Sequence, residues 1–283
     1  MAIIPQIEYE TKLQERLGAP AVFKEICLMK YTDSGIWRNP YLTDPATFTG
    51  TRGSGYTSTA IATVDDTVTI DAYLGSAMHI DDADLAQKTF SDFMEIADRM
   101  GTVLNELIET KMLLEHGQWT NFDNASIGGG AGNITVSISN VKKIIAAMKT
   151  AVRVAGGQEK AEKEGMFIQW READFELVEL LASSEGFNTA DDALKNGIKQ
   201  GFKYLGVEHY STSRNVAGHV FGGVKKAFAC AVVKSTFGKM KTIINPVVTG
   251  GLQISGIGLE ARVDHKFKAW VNMDNILFDI LVA

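Results

Sequence analysis

An α+β fold is predicted for this chain of 283 residues on three observations. Residues 81–117 carry helical periodicity over about ten turns. Short segments that alternate like strands lie on both sides of that stretch and gather at the C-terminal end. Four of the five prolines fall within the first 45 residues.

The front is taken first. Pro5, Pro20, Pro40 and Pro45 predict an arm in extended and turn conformations, because proline fixes φ and removes a backbone donor. A short helix near residues 11–17 fits inside it. Gly50, Gly53 and Gly55 follow. Residues 58–63, small and β-favouring, then face an alternating run at Val68, Ile70, Ala72 and Leu74. Asp65-Asp66 reads as the tip of a two-stranded hairpin with little apolar mass, marginal in water by itself.

In the long stretch, Ala86, Phe90, Phe93, Ala97, Met100, Leu104, Leu107 and Leu114 recur at spacings of three and four, with Ile96, Val103, Ile108 and Leu113 widening the stripe. Asp81 or Asp82 suits the N-cap, Asp84 the positive end of the helix dipole, Lys111 and His116 the last turns, and Gly117 the left-handed position beyond the end. Gly101 is the weak link, costing roughly 1 kcal/mol relative to alanine. About 35 helical residues give a rod of roughly 50 Å.

Beyond it, residues 118–132 read as a loop with Gly128, Gly129 and Gly130 in succession. Ile134, Val136 and Ile138 alternate as a short strand. Val141, Ile144, Ile145, Met148 and Val152 mark a helix that stops at Gly156-Gly157. Residues 165–169 read as a buried strand, and Phe175, Val178 and Leu181 mark the next helix. Thr189 to Asp192 resembles a capping box, and residues 200–213 a turn and a strand. Residues 215–240 fit helix and strand equally. The segments 252–259, 261–271 and 276–282 read as β.

Composition narrows the function. Hydrophobic content of 45% and charged content of 22% are ordinary for a globular chain. With 34 acidic against 28 basic residues the net charge is −6, unlike a protein that condenses nucleic acid by itself. Cys27 and Cys230 lack metal spacing and fit reduced, buried thiols. No secretory signal and no membrane span are expected.

Candidate chemistry is sparse. Gly128 to Gly132 departs from G-x-G-x-x-G at Asn133, and no G-x-x-x-x-G-K-[ST] occurs, so a flexible loop is expected over a phosphate cradle. The five histidines (His79, His116, His209, His219, His265) are far apart in sequence, with no H-E-x-x-H, so no metal is expected. The acid pairs Glu8/Glu10 and Glu172/Asp174 read as solvated faces. The cluster Lys225, Lys226, Lys234, Lys239 and Lys241 reads as a solvated face or a salt-bridge surface between subunits, and less readily as a wall facing DNA. No catalytic residue and no cofactor are assigned.

The order of elements, from "HIDDADLAQ" into the long helix, through "GMFIQWREADFELVELLASSEGF" and "GIKQGFKYLGVEHYSTSRN" to the closing "GGLQISGIGLEARVDHKFKAW", resembles the major capsid proteins of tailed bacteriophages, the Hong Kong 97 capsid fold. That resemblance implies an N-terminal arm at residues 1–40 and an extended β-hairpin loop at 41–75. It implies a peripheral domain at 76–120 and 240–283, with the long helix as its spine, and an axial α/β domain at 121–239. It also implies self-assembly into hexamers and pentamers of an icosahedral or prolate shell around double-stranded DNA. Expected partners are a separate scaffolding protein, a portal protein and a cement or decoration protein. The expected location is the virion, assembled in the host cytoplasm. Arg38 and Arg52 are candidate subunit contacts for Asp65 and Asp66, since arginine engages a carboxylate with two hydrogen bonds. Two alternatives stand beside this reading. One is an encapsulin-like compartment shell of the same fold, and the other an oligomeric α/β enzyme, which would need a convergent polar constellation.

Some members of that family weld subunits through an isopeptide bond between a lysine on the extended loop and a distant asparagine. No lysine occurs here between Lys30 and Lys88. Particles boiled in detergent are therefore expected to run as a single chain-length band on a denaturing gel. A ladder of multimers would contradict this.

Overall fold

A computed structural model describes residues 6–18, 21–42, 47, 49–53, 55, 58, 60–82, 90–184, 201–247, 250–253, 255–269 and 273–283. Two sheets, a separate two-stranded ribbon and six α-helices make up the described architecture.

The centre of the first sheet is β12 (Gly256–Ala269), a single strand of 14 residues where two separate segments are predicted. One edge pairs antiparallel with β4 (Ala72–Asp81) over ten positions, from Gly256↔Asp81 to His265↔Ala72. The other edge takes β11 (Lys239–Ile244) along its first half and β10 (Phe228–Val233) along its second. β1 (Leu28–Thr32) joins parallel to β10. Gly256 begins β12 at φ +142, where a Cβ would lie 2.0 Å from the Ile80 carbonyl oxygen, so only glycine fits this approach.

Corrections to the front of the chain follow from burial. The predicted extended arm contains α1 (Gln6–Gly18), a helix of 13 residues, then α2 (Val22–Ile26) and β1. Leu13 and Leu17, one turn apart, are fully buried, as are Phe23 and Ile26. Local proline content is outweighed by this apolar stripe, which packs on the long helix.

The long helix is described from Phe90 onward. β4 continues through Asp81, and Asp82 directly after it is helical, so the strand runs up to the expected N-cap position. Residues 83–89, which include Asp84 and Ala86, lie outside the described residues. The helix α3 (Phe90–Leu114) has 25 residues, about 38 Å. A 3-10 turn (Glu115–Gln118) ends it, and Gly117 lies inside that turn without adopting a left-handed conformation. Ala97, Met100, Leu104, Ile108, Met112 and Leu113 are buried, whereas Val103 and Leu114 are exposed.

Gly101 has a use that its propensity hides. A Cβ there would stand 2.8 Å from Arg16 Cβ and 3.0 Å from Arg16 Cγ. It is the crossing point of α1 and α3. Around it Arg16 Nε donates to Thr102 Oγ1 at 2.9 Å, and Asn105 Nδ2 donates to the Arg16 carbonyl at 3.0 Å.

The second sheet runs β5 (Thr120–Phe122), β13 (Leu277–Leu281), β9 (His219–Val224), β6 (Met166–Arg171), β8 (Val207–Thr212), β7 (Phe202–Tyr204). Its helices are α4 (Val141–Val154), α5 (Gln158–Glu164) and α6 (Glu172–Ser184), and α4 and α6 lie where the periodicity predicts them. The ambiguous region 215–240 supplies β9 to this sheet and β10 to the first. The chain crosses between them at Lys225 to Ala227, with Lys226 at φ 60. The predicted strand at Ile134, Val136 and Ile138 reduces to one bridge, Ile134↔Val282. Asn140 accepts from the Ser137 N–H (2.9 Å) and donates to the Thr135 carbonyl (2.8 Å), engaging groups a ladder would need. The predicted capping box at Thr189 lies outside the described residues.

One apolar core runs through both sheets. Cys27 and Cys230 are free and buried within it, and burial pushes both thiols up. His209 is fully buried. Trp170 Nε1 donates to its Nδ1 (2.9 Å), and its Nε2 faces the Tyr204 carbonyl (3.2 Å), which defines a neutral tautomer. Burial lowers its pKa to about 4.

Gly101→Ala tests the crossing. Helix propensity alone predicts a gain of roughly 1 kcal/mol. Overlap with Arg16 Cβ reverses the sign, and a net loss of about 1–2 kcal/mol is expected in urea denaturation, with α1 cut faster in limited proteolysis. A stabilised variant would show that α1 does not pack against Gly101.

Candidate assembly surfaces

The features that set this fold apart from a closed globule are its projections. β2 (Ile36–Leu42) and β3 (Thr63–Thr69) pair antiparallel, Ile36↔Thr69 through Leu42↔Thr63, and among the described residues they pair with no other strand. The expected tip at Asp65-Asp66 is corrected by this register. Both acids lie in the middle of β3, opposite Pro40 and Asn39. The strand facing them comes from the predicted arm. Residues 43–62 connect the two strands at the far end.

Alternation along β3 divides the ribbon into an inner and an outer face. Val68 and Asp66 point inward and are buried; Thr63, Asp65, Thr67 and Thr69 are exposed. Val68 packs with Ala229 and Ala231 of β10, with Leu28, Trp37 and Ile70 alongside. This small satellite core ties the root of the ribbon to the first sheet. Lys268 of β12 pairs with Asp66 and donates to the Thr67 carbonyl at 3.0 Å. A buried carboxylate needs such a partner. Lys30 lies 5.6 Å from the Trp37 ring centroid, a cation–π contact at the same root.

The four candidate contact residues are thus placed as follows. Arg38 and Asp65 meet each other on the outer face at 3.6 Å, with side chains 71% and 48% exposed. Asp66 is engaged by Lys268 of its own chain. Arg52 lies exposed in the connection between the strands. Two groups of exposed apolar side chains mark the projecting ends. Leu42 and Ile61 are 63% and 76% exposed at the far end of the ribbon, and Ile244, Val247 and Leu252 are 78%, 68% and 69% exposed between β11 and β12.

The lysine cluster is dispersed into pairs within the chain. Lys226 meets Glu164, Lys234 meets Asp33 (3.6 Å) and Lys239 meets Glu10 (3.0 Å). Lys225 is buried and bonds Glu208 and the Tyr210 hydroxyl, whose oxygen lies 2.8 Å from both Glu25 and Glu208 and can give its one proton to either. Burial works against the Glu208 charge, but the Lys225 and Tyr210 hydrogen bonds outweigh it and hold that carboxyl below its usual range. Only Lys241 of the five has no ion pair described here, and a continuous basic wall is not formed. Asp174, read as solvated, is buried under a two-pronged contact from Arg171 (2.6 and 3.2 Å).

The glycine loop is a turn. Asp123 caps the 3-10 helix at Asn124–Ile127 through Ser126, and Gly128 closes it at φ 81. An acidic cap in that place is opposite in sign to a phosphate site. The histidines are closer than the sequence suggests. The His116 and His219 rings lie 4.2 Å apart between centroids, tilted by 34°, beside the buried Asp279. No local motif announces this trio, because each member comes from a different element.

No protein-family model matches the chain, and comparison with curated proteins gives no match. Solved structures do match over nearly the whole length. The capsid of cyanophage P-SCSP1u is similar with a TM-score of 0.57 and 13% identity, covering 93% of this chain and 88% of that one. The mature capsid of bacteriophage PhiM1 gives 0.59 and 12%, covering 94% and 88%. A virus-like particle from Pyrococcus furiosus gives 0.59 and 10%, covering 97% and 98%.

Asp65 and Asp66 should separate in a stability measurement. Asp65→Ala is expected to change unfolding free energy by less than about 0.5 kcal/mol, as for exposed pairs. Asp66→Ala removes the partner of Lys268 and should cost about 1–3 kcal/mol. Equal effects would mean that the inner and outer faces are misassigned.

The mixed helix and sheet architecture, matched over more than nine-tenths of its length by phage capsid structures, is the capsid-shell fold of those neighbours, as the order of elements implied.

Proposed function

We propose that the chain is a major capsid subunit of a tailed phage, assembling into hexamers and pentamers of an icosahedral or prolate shell around double-stranded DNA. The observation that carries this reading is the ribbon β2–β3. It is anchored at its root by Val68 and the Asp66–Lys268 pair, and it carries Leu42 and Ile61 exposed at its far end. A two-stranded ribbon is marginal in water alone. Seated on the next subunit, it would bury apolar area without a larger core. Head-to-tail contacts of this kind close into rings when the rotation permits, and many weak contacts sum over neighbours.

The domain roles follow from the same reading. The first sheet with α3 as spine is the peripheral domain, the second sheet with α4 and α6 is the axial domain, and residues 43–62 are the reach of the extended loop. Arg52 on that reach, and Arg38 and Asp65 on the outer face, are the polar candidates for contact with a neighbour. A separate scaffolding protein, a portal and a cement protein are the proposed partners, with assembly in the host cytoplasm. The role is structural.

Negative-stain electron microscopy of the nuclease-treated protein, expressed alone and with its genomic neighbours, tests the proposal. Closed particles, tubes or five- and six-membered rings are expected, and DNA should be protected inside complete particles. Leu42→Glu with Ile61→Glu should leave a folded chain that forms rings or particles at least tenfold less efficiently. A uniform small oligomer under all conditions would overturn the shell reading, and protein cargo in place of DNA would overturn the phage assignment.

A further inference from the structure

His116, His219 and Asp279 converge from three elements that are remote in sequence. His116 lies in the 3-10 turn that ends the spine helix, His219 opens β9, and Asp279 is central in β13. His219 Nδ1 lies 2.8 and 2.9 Å from the two carboxylate oxygens of Asp279, and His116 Nδ1 lies 3.4 Å from Oδ2. One ligand atom from each residue falls within 4.8 Å of the others. The Asp279 side chain is 3% exposed, while those of His116 and His219 are 31% and 22% exposed.

We propose that these three side chains form a binding site for one divalent transition-metal cation, of which zinc is the representative. The donor set carries the choice. Two imidazole nitrogens and one carboxylate oxygen suit zinc and its first-row neighbours, and suit calcium or magnesium poorly. Tetrahedral zinc with bonds of about 2.0–2.1 Å needs ligand atoms about 3.3 Å apart. The two imidazole–carboxylate separations, 2.8 and 3.4 Å, lie close to that value, and the ring nitrogens, within 4.8 Å of one another, would close on the ion by turning the partly exposed rings. Both rings turn the same nitrogen toward one carboxylate. Without a cation, each ring can bond the carboxylate only by donating from Nδ1–H, which a neutral tautomer supplies. A cation replaces both protons and neutralises the buried charge. The half-exposed imidazoles leave an entry path, and water completes the coordination. All three ligands belong to one chain, so the site stands whether or not the chain builds a shell. Occupied, it would lock the end of α3 to the second sheet.

The experiment uses the full-length chain without a histidine tag, stripped with a chelator and titrated with zinc chloride by calorimetry. One zinc per chain is expected, with a Kd of about 1 µM or tighter, and no comparable uptake of magnesium or calcium. Cobalt(II) should give visible absorption bands of a low-coordinate site. Zinc at a hundredfold excess over Kd should raise the midpoint of thermal unfolding by about 5 °C. His116→Ala keeps the His219–Asp279 bond and should fold normally by circular dichroism while weakening zinc binding at least 100-fold. His219→Ala should do the same. Absence of saturable zinc binding below about 100 µM, or binding unchanged in both variants, would overturn the proposal.

Discussion

The pairing of β12 on both edges is the constraint on which the rest depends. Ten consecutive positions are shared with β4, and the opposite edge is divided between β11 and β10. A strand paired on both edges over most of its length satisfies most of its backbone groups, as a buried strand must. It also decides where neighbouring elements begin. β4 cannot release the chain into the spine helix before Asp81, because Asp81 still pairs with Gly256. Lys268 near the far end of the same strand reaches the ribbon through Asp66. One strand therefore links the helix start, the ribbon root and the C-terminal region.

Around that strand, burial and exposure are distributed unevenly in a way that suits a tile more than a globule. The apolar core is continuous through both sheets, and several polar groups inside it have partners. His209 lies between Trp170 and the Tyr204 carbonyl, Asp174 under Arg171, and Tyr210 between Glu25 and Glu208. Large apolar side chains instead emerge at the far ends of the projections, at Leu42, Ile61, Ile244, Val247 and Leu252.

Much of the fold was legible in local pattern. Val141 to Val152 and Phe175 to Leu181 announced their helices because an amphipathic stripe is a property of neighbouring residues. The buried strand at Met166 to Gln169 was equally plain. The ribbon was half legible. Its alternation at Val68 was visible, but its partner strand was assigned to the arm, because a connection of some twenty residues separates β2 from β3 and turn chemistry at Asp65-Asp66 looked sufficient. Of the residues expected to meet across subunits, Arg38 and Asp65 face each other within one ribbon, whereas Asp66 faces inward, since successive strand residues point to opposite faces. The lysine cluster misled because neighbours in sequence on strands and turns diverge in space.

By itself the sequence determined the long helix, the helices at Val141 and Phe175, the order that resembles a capsid subunit, and the absence of a lysine between Lys30 and Lys88. These are properties of composition and of periods of two and 3.6 residues, which need no distant contact. Tertiary structure alone decided three things. Gly101 is the crossing point for α1, because only the approach of Arg16 makes its missing side chain necessary. The front of the chain is packed, because Leu13 and Leu17 find the spine helix. His116, His219 and Asp279 are neighbours, because a helix end and two strands of one sheet are brought together by the core beneath them. In each case the cause is a contact between residues remote in the chain, which no local pattern encodes.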